Sequence, residues 1–240
     1  MRDLKELHPD KGLRIFDIKW RTDTAGPSPN NNERIEVFLL GCNKAMKGKA
    51  CKGCFNSITW DKSKAEWSWD PVEVADMINE GCDPNNKYIT IGGGEPTDQI
   101  EMLIPFVKRL KEHGFHIMMY TWRNLLKAMS CDFEYVIPSC VDEANYSYRL
   151  DLAIKDLLQY LDIVVDGQYM QEERLYQQEL GDGMLSSIGS GNQIVWDIKA
   201  YNEQPKLPRN AKYLSGKHMR DLAGLYVKPD TKDLVYITKE

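Results

Sequence analysis

The sequence predicts an α/β fold: a partial, open parallel β/α barrel of about six strands, followed by a C-terminal extension. Three observations carry this. Short runs of β-branched and aromatic residues alternate with segments of helical period. Hairpin signals between the strand runs are sparse, so crossover helices must join parallel strands. About six strand runs are visible, too few for eight complete units.

The elements follow in order. Residues 1–34 read as polar and irregular, with the turn-rich run Thr24-Ala-Gly-Pro-Ser-Pro-Asn-Asn-Asn32. Arg34-Ile-Glu-Val-Phe-Leu-Leu40 reads as the first strand and stops at Gly41. A lysine-rich loop with three cysteines follows. Asp70 and Pro71 open a helix, one as cap and the other in the first turn, where a missing N–H is no loss. Val72, Val74, Ala75 and Ile78 give it an apolar face, and Gly81 ends it. Lys87-Tyr-Ile-Thr-Ile91 is a buried-type strand running into Gly92-Gly93-Gly94. Ile100, Leu103, Ile104, Val107 and Leu110 place a helix over about Asp98 to His113, capped by Gly114. His116 to Tyr120 is a strand, Trp122 to Met129 a helix, Tyr135 to Ile137 a short strand and Tyr148 to Tyr160 a helix. Leu161 to Val165 is a strand ended by Asp166-Gly167, and Gln193 to Ile198 is the last core strand. Residues 1–199 form the core domain. Residues 200–240, polar with a strand-like Leu234-Val-Tyr-Ile237, form an extension packed on it.

Composition narrows the function. The chain has 240 residues, 42% hydrophobic and 28% charged, which fits a globular protein with its own core. With 31 basic and 36 acidic residues the net charge is -5, so no global grip on nucleic acid is expected. No stretch is long and apolar enough for a membrane helix, and the N-terminus lacks the apolar region of a signal peptide. A cytoplasmic setting is expected. There the six cysteines suggest metal or redox chemistry before disulfides.

The strongest chemical signal is Cys42-x8-Cys51-x2-Cys54. Three thiolates on one flexible loop can wrap a compact inorganic centre. Zinc in a structural site wants four ligands, and an iron–sulfur cube ordinarily takes four cysteines. Cys82, Cys131 or Cys140 could close a zinc site, or the fourth corner could stay open for a substrate. The cysteines alone leave both readings standing. Otherwise Cys82, Cys131 and Cys140 read as free thiols. Gly92-Gly93-Gly94-Glu95-Pro96 follows the second strand. Glycines let backbone approach a ligand closely, Glu95 offers a carboxylate to an ammonium group, and Pro96 fixes the turn. The stretch lacks the spacing of a P-loop or a dinucleotide site. Together, the two signals would face each other across one rim, as an amino acid-derived ligand chelating iron would need.

These stretches resemble the radical S-adenosylmethionine enzymes, and within them the anaerobic ribonucleotide reductase activating proteins. Arg34 to Cys42 resembles the strand entering the first cysteine. Cys51-Lys-Gly-Cys54-Phe-Asn56-Ser-Ile-Thr-Trp60 resembles the Cys-x-Gly-Cys-Tyr-Asn-x-Ser-Thr-Trp stretch. Gly93-Gly-Glu-Pro96 matches the glycine turn, Asp166-Gly-Gln-Tyr169 the Asp-Gly-x-aromatic stretch, and Ser190-Gly-Asn192-Gln193 the Ser-x-Asn-Gln stretch. The likeness spans roughly residues 13 to 199. Departures are plain. Eight residues separate Cys42 from Cys51 where the family usually has three, Ile194 stands in place of Arg, and Thr121-Trp122 replaces Thr-Gly. Lengthening a flexible loop costs little entropy.

The resemblance implies that Cys42, Cys51 and Cys54 hold three irons of a 4Fe–4S cluster, with S-adenosylmethionine on the fourth. It implies that Gly92, Gly93, Gly94 and Glu95 receive the methionine amine and that Phe55, beside Gly53 and Cys54, lies against the adenine. Thr121 and Asp166 are further ligand-contact candidates, Asp166 either toward the ribose or as a cap on the turn that leaves its strand. Reductive cleavage would give a 5′-deoxyadenosyl radical, which takes hydrogen from a glycine of the large reductase subunit. A one-electron donor such as flavodoxin is implied. The cofactor carries the hard chemistry, so no side-chain acid or base is expected. Lys44, Lys47, Lys49 and Lys52 read either as a docking patch for an acidic donor or as a solvated loop. The histidines show no metal-ligand spacing, and Asn192 and Gln193 either contact ligand or finish the sheet. Two other functions stay in view: a pyruvate formate-lyase activase or a 7-carboxy-7-deazaguanine synthase-like enzyme, and a non-catalytic zinc module.

Overall fold

One sheet organises the chain. In the computed structural model the described residues are 4–22, 33–123, 153–174, 189–190 and 193–198. The strands are β1 (Glu6–Leu7), β2 (Ile15–Thr22), β3 (Arg34–Leu39), β4 (Ser68–Trp69), β5 (Tyr88–Gly93), β6 (His116–Thr121), β7 (Ile163–Asp166) and β8 (Ile194–Asp197). The helices are α1 (Asn43–Met46), α2 (Pro71–Gly81) and α3 (Ile100–Glu112). Residues 153–158 are also helical.

The main sheet runs β2-β3-β5-β6-β7-β8, and β1 pairs with β4 in a small second sheet. The pairings β3–β5, β5–β6 and β6–β7 are parallel; those at the two edges, β2–β3 and β7–β8, are antiparallel. The fold is therefore α/β with a mostly parallel sheet. One sequence expectation changes. The stretch 1–34 holds β1 and β2, which a reading on composition misses. Asp17, Lys19 and Arg21 interrupt β2, yet Ile18, Trp20 and Thr22 keep the period of two on the half-buried face. The mostly parallel sheet agrees with the expectation; which strand runs antiparallel, here β8 against β7, is not readable from side-chain alternation, which is the same in either direction.

The helices form where the sequence predicts. The Asp70 carboxylate accepts from the backbone N–H groups of Val72 (2.9 Å) and Glu73 (3.1 Å), and Pro71 occupies the first turn. Val74, Ala75 and Ile78 are fully buried, whereas Val72 lies off the stripe and is exposed. The predicted Asp98–His113 helix is preceded by a 3-10 turn over Pro96–Gln99, and its α-helical part is α3. Leu103, Phe106, Val107 and Leu110 of α3 join Ile35, Val37, Leu39, Ile89, Ile91, Ile117, Met119 and Val164 of the sheet in one core. Burying such a stripe is the main stabilising term for both layers.

Several expectations lie outside the described residues: the helix beyond Arg123, the strand at Tyr135–Ile137, the start of the Tyr148–Tyr160 helix, Cys131, Cys140, Asn192 and the extension 200–240. Among the described residues no helix is long and apolar enough to cross a membrane.

Candidate cluster and ligand site

The parallel register brings the chemically interesting residues to one rim. Phe38 pairs with Gly92 and Leu39 with Gly93, so the end of β3 lies beside the end of β5. Thr121 pairs with Asp166 at the ends of β6 and β7. The chain leaving β3 is then sewn to the glycine turn. Gly94 N–H donates to the Leu39 carbonyl (2.8 Å), and Glu95 N–H donates to the Gly41 carbonyl (2.7 Å). A Cβ on Gly94 would sit 2.2 Å from the Gly41 oxygen, and one on Gly93 2.5 Å from the Leu39 nitrogen. Gly93 also has φ of 98°. This close approach is what the glycines provide. Gly92 differs: a Cβ there would meet nothing within 4 Å, so its backbone borders open space. We expect Gly93→Ala to cost at least about 2 kcal/mol, because strain and backbone collision add. A denaturant midpoint equal to that of the parent would contradict it.

The cysteine loop starts from a fixed point. Cys42 N–H donates to the Trp60 carbonyl (2.9 Å), and its thiol is buried. The next amide, Asn43 N–H, donates to Asp98 Oδ2 at 2.6 Å. The other oxygen of Asp98 pairs with Arg123 Nη2 at 2.6 Å, and these side chains are 4% and 2% exposed. Arg123 Nε also donates to Thr97 Oγ1 (2.8 Å). Sequence reasoning missed Asp98 and Arg123. Asp98 passes for an ordinary helix cap, and only the fold brings Arg123 to it.

Cys51 and Cys54 are half-buried, and Cys54 N–H donates to the Cys51 carbonyl (3.2 Å). Gly53 between them has φ of 71°, and a Cβ there would lie 2.0 Å from Gln171 Oε1. Burial pushes the Cys42 thiol up to about 12 and raises that of Cys51. Such thiols ligate only once a metal displaces the proton. Cys82 sits elsewhere. It caps the C-terminal end of α2, ahead of β5, where its thiol contacts the Asn79 carbonyl (3.4 Å) and Lys87 Nζ (3.5 Å). A strand rises about 3.3 Å per residue, so the six-residue β5 separates it from the rim. Cys82 is thereby removed as a fourth ligand of this loop. Among the described residues, no three His, Cys, Asp or Glu side chains converge on a single-ion site.

Glu95 is fully buried and faces inward. Its Oε1 accepts from Thr97 N–H (3.1 Å), Thr97 Oγ1 (2.6 Å) and Thr121 Oγ1 (2.8 Å). Its Oε2 accepts from Trp122 N–H (3.1 Å). Burial raises its pKa, opposed first by the nearby Arg123 charge. Thr121 thus braces Glu95, tying the ends of β5 and β6 together. Asp166 is buried at the end of β7.

The segment after Asp166 lies on the cysteine loop. Lys44 Nζ donates to Gln168 Oε1. The Phe55 ring tilts against Tyr169 with centroids 4.8 Å apart, and the Arg174 guanidinium lies 5.3 Å from the Phe55 centroid. Phe55 remains 60% exposed on its other side, leaving area for a ligand or partner. Gln193 secures this segment. Its Oε1 accepts from the Gly189 and Ser190 amides (2.8 and 3.3 Å), and its Nε2 donates to the Gly167 carbonyl (3.0 Å). Met170 N–H donates to Ser190 Oγ (3.1 Å). Lys44 is the correction to the lysine patch: it is 8% exposed and lies inside the site, leaving Lys47, Lys49 and Lys52 at the surface.

Comparison with known proteins identifies the family. Residues 31–196 match the 4Fe-4S single cluster domain family. The chain belongs to it. The matched region runs from before β3 to the last strand and so contains the whole rim. Within the 4Fe-4S single cluster setting, the chain is 29% identical over 170 residues to the anaerobic ribonucleoside-triphosphate reductase-activating protein of Haemophilus influenzae, covering 69% of this chain and 88% of the relative. It is 25% identical over 172 residues to the protein of that name from Pasteurella multocida, covering 70% and 89%. A third, from Vibrio cholerae, is 24% identical over 167 residues, covering 68% and 86%. The described residues fit a 4Fe–4S cluster. They offer three thiols on one loop, fixed at Cys42 by backbone bonds and joined to the glycine turn through Gly41.

Proposed function

We propose that the chain is a radical S-adenosylmethionine activating enzyme that places a glycyl radical on the large subunit of anaerobic ribonucleotide reductase. The observation that carries this reading is the joining of the cysteine loop to the glycine turn at one rim, through Gly41, Gly94 and Glu95. The relatives named as reductase-activating proteins and the family of the matched domain support it.

In this reading Cys42, Cys51 and Cys54 hold the cluster. When bound, the cluster and S-adenosylmethionine supply one-electron cleavage of a sulfonium S–C bond and removal of a hydrogen atom from a glycine. The chain's own part is to bind and orient. Buried Asp98 fixes the backbone beside Cys42. Glu95, braced by Thr121, fixes the glycine turn, whose backbone at Gly92 to Gly94 receives the amine. Phe55 offers a ring face to the adenine, and Asp166 a carboxylate to the ribose. The sheet curves as a partial barrel about this rim. The exposed Lys47, Lys49 and Lys52 receive an acidic one-electron donor such as flavodoxin, and the reaction takes place in the cytoplasm.

The test is anaerobic reconstitution with iron and sulfide, then addition of dithionite and S-adenosylmethionine. The expected products are 5′-deoxyadenosine and, with the large reductase subunit present, a glycyl radical signal by electron paramagnetic resonance (EPR). Loaded protein that forms no 5′-deoxyadenosine would overturn the reading. Cleavage with no radical on the reductase would redirect the target to another partner, a pyruvate formate-lyase or a small molecule.

A further inference from the structure

Lys44 is an unusual residue to find inside this site. A lysine is almost never fully buried unless something compensates its charge. Here the ammonium group contacts Gln168 Oε1, a neutral acceptor, and lies 4.7 Å from the centroid of the Trp122 ring. Neither partner carries a formal negative charge. Burial weighs most against its charged form, the thiols of Cys51 and Cys42 and the carboxylate of Glu95 favour that form, and Arg123 opposes it. The side chain stands on α1, two residues past Cys42, and its partners follow the ends of β6 and β7, so it lies buried at the rim that carries the cysteine loop. It is held there from the far side by the segment that follows β7.

We propose that Lys44 is the built-in counter-cation of the cluster, a positioning residue that raises its reduction potential. This rests on the cluster reading above. Three thiolates bring three negative charges to the site, and reduction adds one more. Net charge and burial are among the main determinants of iron–sulfur potentials. A cation held in a partly desolvated space favours the reduced state more than the oxidised one, because the interaction grows with the charge it faces. The step itself is simple: one electron leaves the donor, which is oxidised, and enters the cluster, which is reduced, with no bond made or broken. Trp122 and Gln168 keep the ammonium in place without cancelling its charge. That division of labour explains neutral partners in a site where Asp98 and Glu95 are close at hand.

The experiment is an EPR-monitored redox titration of the reconstituted parent and of Lys44→Gln, Lys44→Arg and Gln168→Glu. Iron and sulfide content are measured on each sample. Lys44→Gln should make one-electron reduction about tenfold less favourable, a fall of about 59 mV. Lys44→Arg keeps the charge and should stay near the parent. Gln168→Glu leaves Lys44 in the chain but sets a carboxylate against it, and should fall in the same direction as Lys44→Gln. It also covers the case in which Lys44→Gln assembles no cluster. A loaded Lys44→Gln or Gln168→Glu protein with the parent potential overturns the proposal. So does Lys44→Arg falling as far as Lys44→Gln, which would mark a purely structural role. A parent that takes up no cluster fails the reading beneath and this proposal with it, whereas a loaded parent with indifferent variants fails the proposal alone.

Discussion

Arg123→Met should lower the thermal midpoint of the apo protein by roughly 10 °C. Removing one partner of a buried ion pair costs about 3–5 kcal/mol, because the other charge stays behind without compensation. In a chain of this length each kcal/mol shifts the midpoint by about 2–4 °C. The stranded group would be Asp98, with a side chain only 4% exposed. Its second oxygen holds the Asn43 amide, so the damage reaches the residue next to Cys42. Adding Asp98→Asn to Arg123→Met removes the stranded charge and should recover part of the loss, a coupling read from a double-mutant cycle. A midpoint within a degree of the parent's would show that the pair contributes nothing.

Substituting any one of Cys42, Cys51 and Cys54 by Ala should abolish 5′-deoxyadenosine formation and sharply reduce iron retention. In the proposed reading each of the three thiols holds one iron, and among the described residues the remaining cysteine, Cys82, is held away from the loop by its own contacts with Asn79 and Lys87. Cys82→Ala is the control, with iron content and product expected at the parent level. Because burial holds the Cys42 thiol up near 12, loading must expel its proton. Iron uptake should therefore strengthen as pH rises through the neutral range. A Cys51→Ala protein that retains iron and forms product would remove the loop from the mechanism.

Much of the fold was legible because its cues are local. Asp70 and Pro71 announced α2 and the capping bonds are there. The glycine turn and the cysteines announced the rim, and the register of β3 against β5 brings them together. What stayed hidden depends on contacts between distant residues. The charged positions of β2 look like loop until β3 pairs with it. Lys44 looks like any surface lysine until Trp122 and Gln168, far along the chain, close over it. Asp98 and Arg123 are ordinary residues that become a pair only when the 3-10 turn before α3 meets the chain leaving β6. Gln193 was readable as a motif, but its task, clasping the turn after β7, needed the third dimension.

The anchoring of the cysteine loop has an evolutionary corollary. The bonds at Cys42 and Asn43 and the fold around Gly53 fix the loop where the thiols are, while Met46, Lys47, Gly48 and Lys49 stand outward on the molecular surface. Chain added between the first two thiols is thus taken up as an outer bulge, leaving the inner geometry alone. A spacer free to grow there is a place where lineages can acquire new docking partners without retuning the chemistry beneath.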